Sequence, residues 1–405
     1  MTLLLDISRF ISRAHLPFDT GIDRVERAAI LDGFNRYQDP HFLARIGRGY
    51  VILNRSEMTD FLDMERTQLW PKVRGLDQFR LKLAHPQRQV RTGLRELGVK
   101  QFALDDLDKV IKQEKLAPFH YLNVGHTNLG EKLFQFLSGA GAYKLSVFIH
   151  DVIPIDFPQY CRSDRIVSFK KNFENVIQNC DSIFCNSRYT SDRIAHHAKE
   201  MGKNPIITVI DLVSPAIDPA AINSDHRHER PTFAMLGTIE PRKNLSFVLD
   251  IWDDFSLTKM PEQMPNLLLM GKRGWETPEV LARLDAAIAD GFVSEMVDLD
   301  DQSVQQSLSS CHALLFPSHA EGYGLPAQEA LALGVPVIAS NIPVFRELFG
   351  GKSTLLDTDS TDNWIAAIEH AMRTPIPNPR PAISTSKKSS WTIFFDRLYN
   401  NPVAE

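Results

Sequence analysis

Cysteine is scarce in this sequence, with four residues in 405, and no two of them form a CxxC pair. Cys180 and Cys185 are too loosely spaced for the usual zinc knuckle, which argues against a cysteine-bound metal. We therefore predict buried free thiols, which are typical of a protein from a reducing compartment.

Long hydrophobic runs are absent as well. No stretch approaches the roughly 20 apolar residues that span a bilayer, and Asp6 and Arg9 interrupt the apolar start before it could be the core of a signal peptide. The net charge of −5 and the pI of about 6.2 provide no overall attraction to nucleic acid or anionic lipid. We therefore expect a cytoplasmic protein that binds no nucleic acid, and any anion binding must come from a local patch.

The chain is longer than one domain usually is, so two domains are predicted. Strand candidates such as 44–53 and 266–270 alternate with helical patterns in both halves. This alternation favours two Rossmann-like α/β domains with parallel sheets. A polar stretch with prolines, histidines and charges at 218–231 is predicted to be the linker between them.

The most informative stretch is 316–334, which lies between two apolar runs that suit buried strands. Its two glycines predict a turn, and Pro326 stands where a helix accepts proline. The backbone amides of residues 322–325 would then point out of a helix N-terminus, which is a ready site for an anion. Glu321 precedes these amides, and Glu329 lies early in the helix, with seven residues between the two glutamates.

Glu321 and Glu329 belong to the pattern Pro-Ser-x-x-Glu-Gly-x-Gly-Leu-Pro-x-x-Glu-Ala-x-x-x-Gly. This pattern resembles that of the retaining glycosyltransferases of family GT4, which have the GT-B fold. This resemblance implies two Rossmann-like domains whose parallel sheets face a central cleft. Residues 232–385 would bind the nucleotide sugar, residues 1–217 would lie on the acceptor side, and a helix within 386–405 would cross back to the first domain. The alternative is a strand, turn and helix that carry two surface glutamates.

The same resemblance implies a donor site in the second domain. Arg242 and Lys243 would contact the diphosphate, where a cation pair stabilises the charge that develops as the glycosyl–phosphate bond breaks; read alone, they also suit an exposed basic turn. Glu329 would accept hydrogen bonds from the ribose hydroxyls. Glu321 would lie beside the transferred sugar and stabilise positive charge at the anomeric carbon or hold a hydroxyl. The remaining donor-binding residues would be Gly322, Tyr323, Gly324, Leu325, Gly21 and Gly237.

Two of the expected cleft residues come from the first domain. His150 follows an apolar run and resembles the family's histidine that contacts the donor sugar, and ligands of parallel sheets bind at the carboxyl ends of strands. Gly21 belongs to the segment after the first strand, where glycine lets the backbone approach a phosphate or sugar. A structural histidine and an ordinary turn glycine are the alternatives.

Residues 72–100 are unusually basic, with eight lysines and arginines against Asp77 and Glu96. Leucines recur there at roughly helical spacing, and Pro86 is predicted to divide the segment into two helices. Such a stretch favours contact with an anionic membrane surface or acceptor, and a solvated basic face is the alternative. If it binds lipid, the protein would be peripheral on the inner face of the membrane.

Metal binding is not expected, because the Asp-x-Asp at 298–300 precedes a helix and suits a capping cluster. A basic pair and helix amides would do the work of a divalent ion, so no cofactor is predicted beyond the donor substrate. The resemblance thus implies a retaining hexosyltransferase that moves a sugar from GDP-mannose or a UDP-sugar to a glycan or lipid-linked glycan in surface polysaccharide biosynthesis. The alternatives are a GT-B sugar-nucleotide epimerase or phosphorylase, and a non-catalytic nucleotide-binding partner subunit.

Overall fold

The structure is a computed structural model that describes residues 2–16, 19–80, 82–214, 217, 228–377, 380 and 390–399. Two α/β units account for these residues, each built on one sheet. Of the predicted linker at 218–231 only 228–231 are described, and 218–227 lie outside the described residues, as do 381–389.

The first sheet has seven strands in the order β3-β2-β1-β4-β5-β6-β7, and all neighbours are parallel except β2 and β3. The strands are β1 (Thr2–Asp6), β2 (His41–Ile46), β3 (Gly49–Leu53), β4 (Phe119–Asn123), β5 (Ala142–Ile149), β6 (Ser182–Cys185) and β7 (Ile207–Val209). The helices of this half are α1 (Ser8–Arg13), α2 (Gly21–Arg36), α3 (Arg55–Thr67), α4 (His85–Glu96), α5 (Leu107–Gln113), α6 (Glu131–Gly139), α7 (Ile153–Asp156), α8 (Ser163–Asn179) and α9 (Arg188–Glu200).

The second sheet has six parallel strands in the order β10-β9-β8-β11-β12-β13. The strands are β8 (Thr232–Leu236), β9 (Asn266–Met270), β10 (Val293–Met296), β11 (Ala313–Phe316), β12 (Val337–Ser340) and β13 (Thr354–Leu356). The helices are α10 (Leu245–Thr258), α11 (Pro278–Ala289), α12 (Asp301–Ser309), α13 (Leu325–Ala332), α14 (Pro343–Phe349), α15 (Asp362–Arg373) and α16 (Trp391–Tyr399). The prediction of two α/β units with parallel sheets is confirmed.

Each sheet is covered on both faces. Successive side chains of a strand point to opposite faces, so the apolar residues of one buried strand fall into two clusters. Leu3 and Leu5 of β1 belong to one fully buried cluster, whereas Leu4 belongs to the cluster on the other face. The first of these clusters also contains Phe394 and Phe395 of α16. The last described helix therefore completes the core of the first unit, although it follows the second unit in the chain.

The predicted strand at 44–53 is two strands in the structure. Chain direction reverses at Gly47, whose φ of +64° lies in the left-handed region that favours glycine. Ile46 of β2 then pairs with Gly49 of β3 in an antiparallel hairpin. Gly47, Arg48 and Gly49 interrupt the apolar pattern at this point, so the sequence carried a turn signal that the single-strand prediction overlooked.

The two helices predicted at 72–100 are also corrected. The segment forms a 3₁₀ turn at Gly75–Phe79 and a single helix, α4, that begins beside Pro86. Asp77 is fully buried, and the guanidinium groups of Arg80, Arg91 and Arg95 converge on its carboxylate. Three of the eight basic side chains are thus held by one buried carboxylate, and Lys72, Lys82 and Lys100 remain exposed.

None of the helices in the part of the chain that the structure describes is long and apolar enough to cross a membrane.

Candidate functional site

The turn between β11 and α13 forms the centre of the candidate site. Gly324 has a φ of +101°, and a Cβ there would lie 2.8 Å from the ring of Phe345 and 3.0 Å from that of Phe349. Glycine is therefore required both by conformation and by space. Pro326 lies in the first turn of α13, where its missing N–H leaves no bond unmade. These residues fix the turn that presents Glu321 on one side and Glu329 on the other.

Glu321 lies in contact with both predicted cations. Its Oε1 accepts hydrogen bonds from Lys243 Nζ and Arg242 Nη1, each at 2.6 Å, and from Ser318 Oγ at 3.0 Å. The Arg242 guanidinium also donates to Glu240 and to the carbonyl of Ala320, at 2.7 and 2.9 Å. These contacts join the 3₁₀ turn Pro241–Lys243 to the β11–α13 turn at the carboxyl end of the second sheet.

Electrostatics hold this group in its charged form. Burial on its own would raise the pKa of Glu321, but the neighbouring charges of Arg242 and Lys243 lower it to about 2. Burial opposes the charge on Arg242, yet the carboxylates of Glu321 and Glu240 hold its pKa above the usual value. Burial lowers the pKa of Lys243, and Glu321 opposes that shift. A carboxylate with this pKa is ionised at neutral pH and carries no proton to donate.

Gly237 lies against the lysine of this cluster, and its backbone conformation favours glycine. It follows β8 with a φ of +128°, and a Cβ there would lie 3.4 Å from Lys243 Cε. The Lys243 ammonium lies 4.6 Å from the centre of the Phe316 ring, a cation–π contact at the end of β11. A small cavity opens beside these residues, lined in part by Gly237, Thr238, Lys243 and Phe316.

Glu329 is engaged by a residue that the sequence did not single out. Arg24 of α2 donates from Nη1 to Glu329 Oε1 at 2.6 Å and from Nη2 to Asp301 Oδ1 at 2.7 Å. Both Arg24 and Glu329 are mostly buried, with side chains 22% and 11% exposed. Burial raises the pKa of Glu329, and Arg24 opposes this. The only signal for Arg24 was its position three residues after Gly21, in the segment already assigned to the cleft.

The first unit also touches the turn directly. A Cβ on Gly21 would lie 2.6 Å from Leu325 Cδ1, so glycine at this position lets the start of α2 approach the second unit. Tyr323 is buried in the apolar cluster of the first unit and donates its hydroxyl to the carbonyl of Leu212 at 3.3 Å. The predicted donor-binding residues of the turn therefore lie between the units.

His150 lies next to the turn but is itself enclosed. It is 5% exposed, and its Nε2 lies 2.8 Å from the carbonyl oxygen of Val124. Burial lowers its pKa to about 3, so the ring is neutral at physiological pH. The imidazole therefore donates from Nε2.

A Cβ on Gly322 would lie 2.3 Å from the backbone carbonyl oxygen of His150, so these two backbones are in contact. Ser187 Oγ donates to the Gly322 carbonyl at 3.1 Å and anchors the turn further.

The aspartates at 298–300 belong to the start of α12. Asp300 Oδ1 accepts a hydrogen bond from the backbone N–H of Ser303 at 2.8 Å, which is the geometry of a helix N-cap. Asp298 pairs with Lys272 at 2.7 Å. Both carboxylates thus have protein partners.

Comparison with known proteins agrees with the motif. The family model described as "Glycosyl transferases group 1" matches residues 219–389. Among curated proteins, the serotype-specific mannosyltransferase WbdA of Escherichia coli is 25% identical over 256 residues, covering 58% of this chain and 31% of WbdA. The O-antigen chain mannosyltransferase B of Escherichia coli is 25% identical over 220 residues, covering 53% of this chain and 57% of that protein. The chain thus spans less than two thirds of the length of either relative.

Among solved structures, the α,α-trehalose-phosphate synthase (UDP-forming) from Burkholderia xenovorans, in complex with glucose-6-phosphate, aligns with a TM-score of 0.54. The alignment covers 98% of this chain and 95% of that one at 9% sequence identity, so it bears on the fold alone. The fold is the GT-B fold, as the motif implied, and the segment 219–389 is similar to the group 1 glycosyltransferases.

Proposed function

We propose that the protein is a retaining glycosyltransferase that moves a sugar from a nucleotide-diphospho-sugar to a glycan or lipid-linked glycan. The observation that carries the proposal is the buried contact of Arg242 and Lys243 with Glu321, in a turn that lies against the first unit. The acceptor class and a place in surface polysaccharide biosynthesis rest on the O-antigen and serotype mannosyltransferases among the relatives. Those relatives also favour mannose as the transferred sugar, with GDP-mannose and UDP-sugars as the donors to compare.

In the proposed reaction the bond between the anomeric carbon and the phosphate oxygen breaks as the acceptor oxygen bonds to the same face. The departing phosphate takes the acceptor's proton. Arg242 and Lys243 would stabilise the negative charge that grows on the diphosphate, where fixed charges in a site with little water act most strongly. These cations are the reason for expecting transfer without a metal.

Glu321 does not act as a nucleophile in this proposal. Its carboxylate is tied to two cations, and a single oxygen accepts all three of its hydrogen bonds. We assign it to the transferred sugar, where its charge would oppose the positive charge at the anomeric carbon and accept from a hydroxyl. Glu329 would take the ribose hydroxyls, which replace Arg24 as its hydrogen-bond donors.

The proposal is tested first by binding and then by turnover. The melting temperature of the protein is measured with GDP-mannose, UDP-glucose and UDP-N-acetylglucosamine in turn. The true donor should raise it, because a ligand that binds only the folded state stabilises that state. The selected donor should then release nucleoside diphosphate only when a glycan acceptor is added. Conversion of the sugar nucleotide without acceptor would identify an epimerase instead, and no shift with any donor would contradict the proposal.

A further inference from the structure

Three side chains at the end of α9 lie together on the surface of the first unit. They are His196, His197 and Glu200, and one ligand atom from each lies within 4.8 Å of the other two. His196 and Glu200 are four positions apart and therefore share a helix face, while His197 reaches the same carboxylate from three positions away. No step of the proposed glycosyl transfer uses these residues.

The separations match those of ligands around one zinc ion. His196 Nε2 lies 3.5 Å from Glu200 Oε1, and His197 Nδ1 lies 3.3 Å from Glu200 Oε2. Two ligands that each bind tetrahedral zinc at 2.0–2.1 Å are about 3.3 Å apart. Each imidazole nitrogen therefore lies at about one tetrahedral edge length from a different oxygen of Glu200, and a water molecule would supply the fourth ligand.

The surroundings of His197 orient it as a metal ligand. Its Nε2 lies 2.6 Å from Asp156 Oδ1, and Arg193 holds the same carboxylate with two hydrogen bonds of 2.7 and 2.8 Å. A histidine that donates from Nε2 to a carboxylate leaves the lone pair of Nδ1 free to bind. Histidine ligands of metals almost always have such a partner on the other ring nitrogen.

We propose that His196, His197 and Glu200 form a surface site for a borderline transition-metal ion, with Zn²⁺ as the physiological candidate. Asp156 is the residue that positions His197. Two nitrogens and one carboxylate suit zinc, nickel or copper, whereas magnesium and calcium prefer oxygen ligands alone. The bound ion would connect the end of α9 to α7 through His197 and Asp156. The site is independent of the donor cluster, so removal of the metal should leave the donor residues in place.

The test is a zinc titration of the tag-free full-length chain against a chromophoric chelator, with magnesium as the negative control. We expect one high-affinity zinc per chain, and at least tenfold weaker binding in both His196→Ala and Glu200→Gln. These side chains are 53% and 63% exposed, so the variants should fold as the wild type does. His370→Ala, which changes an exposed histidine on α15, should bind zinc like the wild type.

Asp156→Asn tests the positioning role, and its zinc affinity should fall about 10- to 100-fold while His196 and Glu200 remain. Zinc should also raise the melting temperature of the wild type but not of His196→Ala or Glu200→Gln. The proposal is overturned if the wild type takes no zinc from the chelator, or if both ligand variants take it as readily as the wild type does. The proposal would also be overturned if the zinc affinity of His370→Ala fell as far as that of the ligand variants, because binding would then be nonspecific.

Discussion

Replacing Glu321 by glutamine tests whether this carboxylate is the counter-charge of the basic pair. The substitution keeps the shape of the side chain and its ability to accept from Ser318. It removes the negative charge that Arg242 and Lys243 share, and leaves two mostly buried cations facing a neutral amide. We therefore expect Glu321→Gln to fold but to be less stable than the wild type at pH 7.

The size of the loss follows from the pKa of the carboxyl group. It falls from the usual 4.5 to about 2 in the folded protein, and this difference corresponds to about 3 kcal/mol of folding free energy. Breaking a buried ion pair by removing one partner costs about 3–5 kcal/mol, so the two lines of reasoning agree. Glu240→Gln is the matched control, because it removes one partner of Arg242 and leaves Glu321 intact. It should cost about 1 kcal/mol.

The effect should depend on pH in a known direction. The folded-state pKa is lower than the unfolded one, so the stabilisation is complete above pH 4.5 and disappears as the pH falls toward 2. At pH 3.5 about 2 kcal/mol should remain by the same relation. The stability difference between the wild type and Glu321→Gln should therefore narrow by roughly two fifths between pH 7 and pH 3.5.

The assay is urea unfolding at pH 7, 5 and 3.5, followed by both circular dichroism and tryptophan fluorescence. Coincident transitions from the two probes would justify reading a single free energy from a two-unit protein. If Glu321→Gln unfolds at the same urea concentration as the wild type at pH 7, the carboxylate does not balance the basic pair. A difference that stays constant down to pH 3.5 would also refute the reasoning, since it would show a packing effect.

Three further predictions concern the donor site and the basic segment. Arg242→Ala and Lys243→Ala should each lower kcat more than they raise the donor KM, because leaving-group charge grows only as the bond breaks. Unaltered kcat in both variants would contradict the assignment of these residues to the diphosphate. EDTA should leave the wild-type rate unchanged. Arg24→Met should tighten nucleotide binding about two- to tenfold, as measured by calorimetry. The reason is that the ribose would no longer have to displace the hydrogen bond from Arg24 to Glu329, which is worth about 0.5–1.5 kcal/mol. Weaker binding would show instead that Arg24 holds the donor. Glutamate substitutions at three exposed lysines should weaken binding to anionic vesicles at low salt if the basic segment contacts lipid, and unchanged flotation with the vesicles would leave it a solvated face. Those lysines are Lys72, Lys82 and Lys100.

Local signals in the sequence were enough to predict the strand, turn and helix that carry Glu321 and Glu329. An apolar run, two glycines and a proline at a helix start act over a few residues, so they do not depend on the rest of the fold. The alternation of such runs with helical patterns likewise predicted the two parallel sheets. The hairpin around Gly47 was missed although Gly47, Arg48 and Gly49 mark a turn in the sequence, because the whole stretch 44–53 was assigned to one strand.

Partners that meet through the fold could not be predicted in this way. Arg24 and Glu329 are 305 positions apart, and their contact depends on how the two units are placed. The basic segment poses the same problem over a shorter distance, because counting charges could not reveal that three arginines pair with the buried carboxylate of Asp77. A sequence indicates which side chains are suited to a site, whereas their pairing is decided by tertiary structure.

The position of α16 has a consequence for synthesis on the ribosome. Phe394, Phe395 and Leu398 lie in the same core as β1, so the first unit lacks part of its interior until α16 has been made. A nascent chain that already contains β1 to β7 would expose the apolar surface that α16 later covers, and such surface favours aggregation. Production of residues 1–214 alone should therefore yield an insoluble product, and supplying the segment 390–399 as a fused helix should restore solubility.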